Sequence, residues 1–232
     1  MNRLVRALVA LMIISVAVIA AGCKKPDEPN NPNNEGNNSG GGNGGTYDVH
    51  EYVDLGLPSG TLWATCNVGA ETPEGYGDYF AWGETEPKSV YSLETYKYKD
   101  SIPYSDHTGA EYLRANDDAA SANWGGNWRT PTYGEWNELC QNTTFEITTM
   151  NGVKGLCFKG SNSNVLFLPY AGFYVGDDLN DVGISGRYWK STVWGGIESQ
   201  MFLNIHDCFS MGEESFGPAY QGCSVRPVCS VN

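Results

Sequence analysis

The residues able to do chemistry in this chain are few. It has seven cysteines and three histidines, His50, His107 and His206. Cys23 closes an apolar N-terminal run, which leaves Cys66, Cys140, Cys157, Cys208, Cys223 and Cys229. No two of these have the Cys-x-x-Cys spacing of a structural zinc site, and the histidines are scattered without ligand or triad spacing. The stretch Gly176-Asp177-Asp178-Leu179-Asn180-Asp181 is rich in oxygen ligands for Ca²⁺, yet lacks the ligand order of an EF-hand. A hydrolytic or transfer enzyme needs a convergent acid, base or nucleophile, and no such constellation is visible. The chain therefore reads as a non-enzyme with no metal and no cofactor. An even count of six cysteines outside the cytoplasm points instead to disulfides. Cys208 and Cys223 fall on stretches that read as antiparallel neighbours in a hairpin, within bridging reach.

Binding chemistry concentrates between Trp194 and Gln221. There Gln200, Phe202, Asn204 and His206 alternate with Met201, Leu203 and Ile205, so the first set shares one side of a strand. Trp194, Phe209, Met211, Phe216 and Tyr220 stand in the adjoining loops. Aromatic rings beside amides are what a ligand-binding face requires. The competing reading is a second buried layer.

Those residues must be positioned by a scaffold, and one element of it is explicit. In Trp128-Arg129-Thr130-Pro131-Thr132-Tyr133-Gly134-Glu135-Trp136, Thr132 is an N-cap whose hydroxyl accepts from the Glu135 amide. The Glu135 carboxylate reaches back to the Thr132 amide, which makes a capping box before an apolar stripe of Trp136, Leu139 and Cys140. Elsewhere the pattern is of short strands. Val53, Leu55 and Leu57 alternate up to a Pro58-Ser59-Gly60 turn, and Leu62, Ala64, Cys66 and Val68 alternate after it, as a hairpin does. Asp78 to Trp82 reads as a further strand and Asp117 to Ser121 as a turn of helix. Asn151-Gly152 joins Phe145–Met150 to Val153–Lys159 as a hairpin. Val165–Pro169, Gly172–Val175, Arg187–Val193, Gln200–His206 and Cys223–Cys229 follow. The expectation is an α+β domain of short strands, few helices and long glycine-rich loops.

Three further stretches narrow the class. They are Tyr52 to Ala70, Gly77 to Glu84, and Gly222-Cys223-Ser224-Val225-Arg226-Pro227-Val228-Cys229. With the Trp128 to Trp136 motif they resemble the Fibrobacter major-paralogue domain, a C-type-lectin-like fold of the formylglycine-generating-enzyme (sulfatase-modifying-factor) type common in Bacteroidetes surface lipoproteins. The resemblance runs in order from about Tyr52 to Cys229. It implies that Trp194 to Gln221 forms the ligand-binding face, that Tyr188-Trp189 is a core dipeptide, and that Arg129 and Arg226 are buried structural arginines. It also implies that Cys229 meets Cys66, or else Cys140 on the helix as in animal C-type lectins. The copper-binding cysteine context of the formylglycine-generating enzyme is missing here, which argues against that activity. An enzyme of that type or a hydrolase, and a pilus or tip component, stand as alternatives to recognition of a protein or glycan ligand.

Residues 1–22 carry Arg3 and Arg6 before the apolar run Ala7 to Ala21, the make-up of a secretory leader. Its end, Ile19-Ala20-Ala21-Gly22-Cys23, resembles the lipobox of bacterial lipoproteins, which implies acylation of Cys23 and a membrane anchor. Lys24-Lys25-Pro26-Asp27-Glu28 resembles the signal for the outer face of the outer membrane. Residues 23–46 are otherwise an Asn- and Gly-rich tether, spanning on the order of 25 Å, and residues 47–232 form the domain. Acids number 27 and basic residues 14, a net charge of −13. Such an acidic chain is not expected to bind nucleic acid.

Overall fold

The computed structural model describes residues 44–100, 112–193, 200–206 and 215–230. They form a mainly β, α+β-like arrangement of small antiparallel sheets with few helices. The first sheet joins β1 (Gly45–Tyr47), β2 (His50–Asp54), β3 (Leu62–Ala64) and, in last place, β12 (Val228–Cys229), so the last described strand closes against the third. Between them lie α1 (Ala119–Trp124) and α2 (Tyr133–Asn142), the latter running into β4 (Thr144–Met150), β5 (Val153–Lys159) and β6 (Val165–Pro169). A hairpin follows of β7 (Phe173–Val175) and β8 (Asp178–Asn180). A last sheet has the order β11 (Ser215–Gly217), β10 (Gln200–His206), β9 (Ser185–Trp189).

Local chemistry accounts for the turns. Leu57 carbonyl accepts from the Gly60 amide at 2.9 Å across Pro58-Ser59, and β4 turns into β5 on Asn151 at φ 48° and Gly152 at φ 86°. Positive φ at both central residues is what a type I′ turn demands, and Asn-Gly supplies it at least cost. Strand β1 takes in Gly45 and Thr46, which the sequence assigned to the tether. Among the described residues no helix is long and apolar enough to cross a membrane.

Beside a small cluster of Ala64, Trp128 and Cys229, two larger packed regions hold these pieces. One sets Trp63, Trp136, Leu139, Leu156, Tyr188 and Ile205 between the first sheet, α2, β5 and β10. The other is built largely from loop aromatics, Tyr79, Phe80, Trp82, Tyr91 and Tyr96, against Trp189, Phe202 and Val225. Irregular backbone survives there because side chains satisfy it: Tyr96 hydroxyl donates to Trp82 carbonyl at 2.7 Å, Trp82 Nε1 to Lys190 carbonyl at 2.9 Å, and Trp189 Nε1 to Phe80 carbonyl at 2.6 Å. The expected strand from Asp78 to Trp82 is thereby reduced to one bridge, Phe80 against Cys223.

Both expected disulfide pairings fail. Cys66 is disulfide-bonded, but Cys140, Cys157, Cys223 and Cys229 are free thiols. Cys229 lies opposite Leu62, four residues before Cys66. Four residues of extended chain span on the order of 13 Å, against the roughly 4.4–6.8 Å between Cα atoms that a bridge allows. Cys223 directs its strand-like geometry at Phe80, exchanging both backbone hydrogen bonds at 3.0 Å, and so is not the hairpin partner of Cys208, which lies outside the described residues. Burial pushes the Cys140, Cys157 and Cys229 thiols up to about 11 and the Cys223 thiol higher still. Alkylation at pH 8 is therefore expected to be slow in the native chain. After denaturation, peptide mapping should find Cys140, Cys157, Cys223 and Cys229 labelled and Cys66 unlabelled. A Cys66 to Cys229 bridge peptide would contradict this arrangement.

Candidate functional site

Strand β10 fixes where the expected binding residues stand. Its register sets Phe202 opposite Trp189 and Ser215, Asn204 opposite Arg187, and His206 opposite Ser185. Leu203 and Ile205 point the other way and are buried, as the alternation requires. Phe202, however, is buried too, at 3 % exposure, edge-on to Trp189 with ring centroids 5.9 Å apart. It is core and not a ligand contact. The middle of β10 is thus covered on both sides, and the second buried layer applies there.

Toward the far end of the strand that layer turns polar. Arg187 lays its guanidinium 3.3 Å from the Phe173 ring centroid and 4.8 Å from that of Phe202, and donates from Nη1 to Gln221 Oε1 at 2.6 Å. Asn204 and His206 are half-buried beside it. Arg187 Nε and Asn204 Oδ1, on directly opposed residues, are buried without a hydrogen-bond partner. Tyr220 is half-buried and packs against the aromatic core. Phe216, on the edge strand β11, is 40 % exposed. The backbone of Gln200 pairs with Gly217. Trp194, Phe209 and Met211, like Cys23, lie outside the described residues. Of the nine expected binding residues, Asn204, His206, Phe216 and Tyr220 have half-buried or exposed side chains among the described residues, and Arg187 and Gln221, which the sequence reading does not name among them, adjoin Asn204.

A concave feature elsewhere was not foreseen. A cleft of about 660 Å³ opens over the start of α2, lined by Tyr112, Leu113, Arg129, Glu135 and Glu138 among others. Its floor is the capping box, which forms as the sequence implied. Thr132 Oγ1 accepts from the Glu135 amide at 3.2 Å, and Glu135 Oε2 accepts from the Thr132 amide at 2.8 Å. The same carboxylate takes a two-pronged contact from Arg129, at 2.7 Å to Nη1 and 2.5 Å to Nη2. Glu138 accepts from the Ser59 amide at 2.8 Å and the Ser59 hydroxyl at 2.5 Å, tying α2 to the β2–β3 turn. Below, buried Asp118 caps α1 and accepts from the amides of Ala120, Ser121 and Thr130 and from the Thr130 hydroxyl. Burial pushes its carboxyl pKa upward against those donors. The signal for the cleft was the Arg129 to Glu135 motif itself, which reads from the sequence as a structural arginine and a helix start.

Burial also works to raise the Glu135 pKa, but the Arg129 fork and the Thr132 amide and hydroxyl outweigh it and hold the carboxyl below the usual glutamate range. A depressed folded-state value contributes stability above the unfolded pKa, near 4.3 for glutamate as an approximate reference, and loses it as pH falls through the folded one. The denaturant midpoint is expected to fall on acidification below about pH 4.3, and less so in Glu135→Gln. Thr132→Ala should cost about 1 kcal/mol. Unchanged midpoints for Thr132→Ala, with identical acid profiles for Glu135→Gln and the parent, would remove the capping box from the stability account.

No family model matches the chain, and no curated protein and no solved structure matches it. Among the described residues, no three of His, Cys, Asp or Glu gather as a cation would need, and the Gly176–Asp181 stretch is the tip and second strand of the β7–β8 hairpin.

Proposed function

We propose that this chain is a lipid-anchored, outward-facing recognition protein of the outer membrane, with a C-type-lectin-like domain that takes a protein or glycan ligand at its C-terminal loop face. The sequence motifs carry the lectin-like assignment, and the small antiparallel sheets laced by loop aromatics are compatible with it. The anchor rests on the leader and Cys23.

The observation that carries the binding reading is Phe216. On a sheet whose other described aromatics, Tyr188, Trp189 and Phe202, are buried, this edge-strand ring remains 40 % exposed. By register Phe216 stands opposite Met201 and so falls on the Leu203 and Ile205 side of the sheet, while the polar cluster of Arg187, Asn204 and Gln221 falls on the Phe202 side. An exposed aromatic ring on an edge strand has the make-up of an interface anchor. Against the pilus reading stands the composition of the tether, since a pilus subunit would need a strand to donate and an Asn- and Gly-rich segment is a poor strand former.

The test is capture of glycans on an array, and of purified cell-surface proteins, by the full chain. Phe216→Ala is expected to weaken capture at least tenfold at an unchanged thermal midpoint. Capture that survives Phe216→Ala would move the ligand elsewhere. Cys23→Ser should abolish uptake of labelled fatty acid, and continued labelling would remove the anchor.

A further inference from the structure

We infer that the cleft over the start of α2 is a second binding site, for a neutral saccharide. It is independent of the Phe216 face, sharing none of its residues.

Charge decides the ligand's class first. Arg129 and Glu135 neutralise each other through a two-pronged contact, so no uncompensated cation waits for an anion. Asp118 is buried and occupied by four donors, and the chain as a whole is at −13. Anionic ligands are repelled.

Hydrogen-bond geometry decides next. A guanidinium has five N–H donors, and Arg129 commits two of them to Glu135 while its side chain stays 40 % exposed at the cleft. Glu138 lies one helical turn from Glu135 on the same face of α2 and is held in place by Ser59. Fixed donors next to a fixed carboxylate suit a group that accepts and donates at once. Hydroxyls do both, and vicinal hydroxyls do so at the spacing of adjacent planar groups.

The remaining wall is apolar. Tyr112 is 47 % exposed and Leu113 stands beside it, a flat surface for the C–H face of a sugar ring. A volume of about 660 Å³ falls inside the range of roughly 300–1,000 Å³ for small-molecule sites, room for a short oligosaccharide. An extended peptide is disfavoured, since such ligands pair with an open strand edge and none of the lining residues belongs to a β strand.

The experiment is an array of neutral and acidic oligosaccharides probed with the full chain in a detergent without a sugar headgroup, followed by calorimetric titration of the best neutral binder. Neutral binding that changes less than twofold between low and high salt is expected. Tyr112→Ala should weaken it at least tenfold with the thermal midpoint unmoved, and Ile184→Ala, on a distant exposed side chain, should leave it unchanged. Arg129→Lys should weaken it as well; because Arg129 also supports the capping box, the Tyr112 variant is decisive if Arg129→Lys misfolds. Preference for acidic sugars, absence of any neutral binder, or undiminished affinity in Tyr112→Ala would each overturn the assignment. Loss of neutral binding in Phe216→Ala but not in Tyr112→Ala would place the saccharide on the C-terminal face and overturn the cleft alone.

Discussion

Cutting Trp189 to alanine is expected to destabilise the fold by about 3–5 kcal/mol, the range for large buried aromatics. Trp189 is 2 % exposed and sits where the two packed regions meet. Its ring packs against Phe202, its Nε1 donates to Phe80 carbonyl at 2.6 Å, and its own carbonyl receives Trp136 Nε1 at 3.3 Å. Removing the indole leaves a cavity and takes one of two hydrogen bonds from the Phe80 carbonyl, which keeps the Cys223 amide at 3.0 Å. Phe202→Ala should fall in the same range, about 3–5 kcal/mol, because that ring is equally enclosed. Chemical denaturation of the two variants checks this. A loss under about 1 kcal/mol for either would mean that the C-terminal sheet is not packed as described.

The second large effect is expected at Arg226. This guanidinium is fully buried and forms no ion pair among the described residues: Nε donates to Asn67 Oδ1 at 2.8 Å, and Nη1 donates to the carbonyls of Ala64 and Thr65. Asn67 is itself fixed by donating to Tyr76 carbonyl at 2.9 Å. Burial draws the Arg226 pKa down to about 10, so the charge persists at neutral pH. Arg226 thus holds the exit of β3 to the chain's last segment, which in turn pairs β12 with β3. Arg226→Met keeps most of the volume but takes the donor from two buried acceptors, Asn67 Oδ1 and the Ala64 carbonyl, each worth about 1–3 kcal/mol, and from the part-buried Thr65 carbonyl. A loss of about 2 kcal/mol or more is expected on that count, measured by denaturant midpoint. Arg226→Lys should recover part of it through a single ammonium donor. Equal stability of Arg226→Met and the parent would show that the acceptors find other partners.

What the sequence disclosed was local. Thr132 with Glu135, Asn151-Gly152, and Pro58-Ser59-Gly60 each encode their geometry within four residues, and each forms as written. Arg129 and Arg226 were legible as structural arginines, although Arg129 is only half-buried. What depended on distant parts of the chain was not legible. The free state of Cys229 follows from β12 registering against Leu62 and Trp63, a long-range pairing of two residues with no local signal. Phe202 alternates correctly, and only the arrival of Trp189 and Phe173 makes its side of β10 a core. The cleft likewise needs α2, the β2–β3 turn and the segment around Tyr112 to converge.

The most direct measurement is binding and thermal stability recorded together for Phe216→Ala and Phe202→Ala in the full chain. The account predicts that Phe216→Ala keeps its midpoint and loses capture of whichever glycan or surface protein the parent chain binds. It predicts that Phe202→Ala loses stability first and binding only in proportion to the unfolded fraction. A Phe216→Ala chain that unfolds as readily as Phe202→Ala, or that binds as well as the parent, would contradict recognition at the C-terminal loop face.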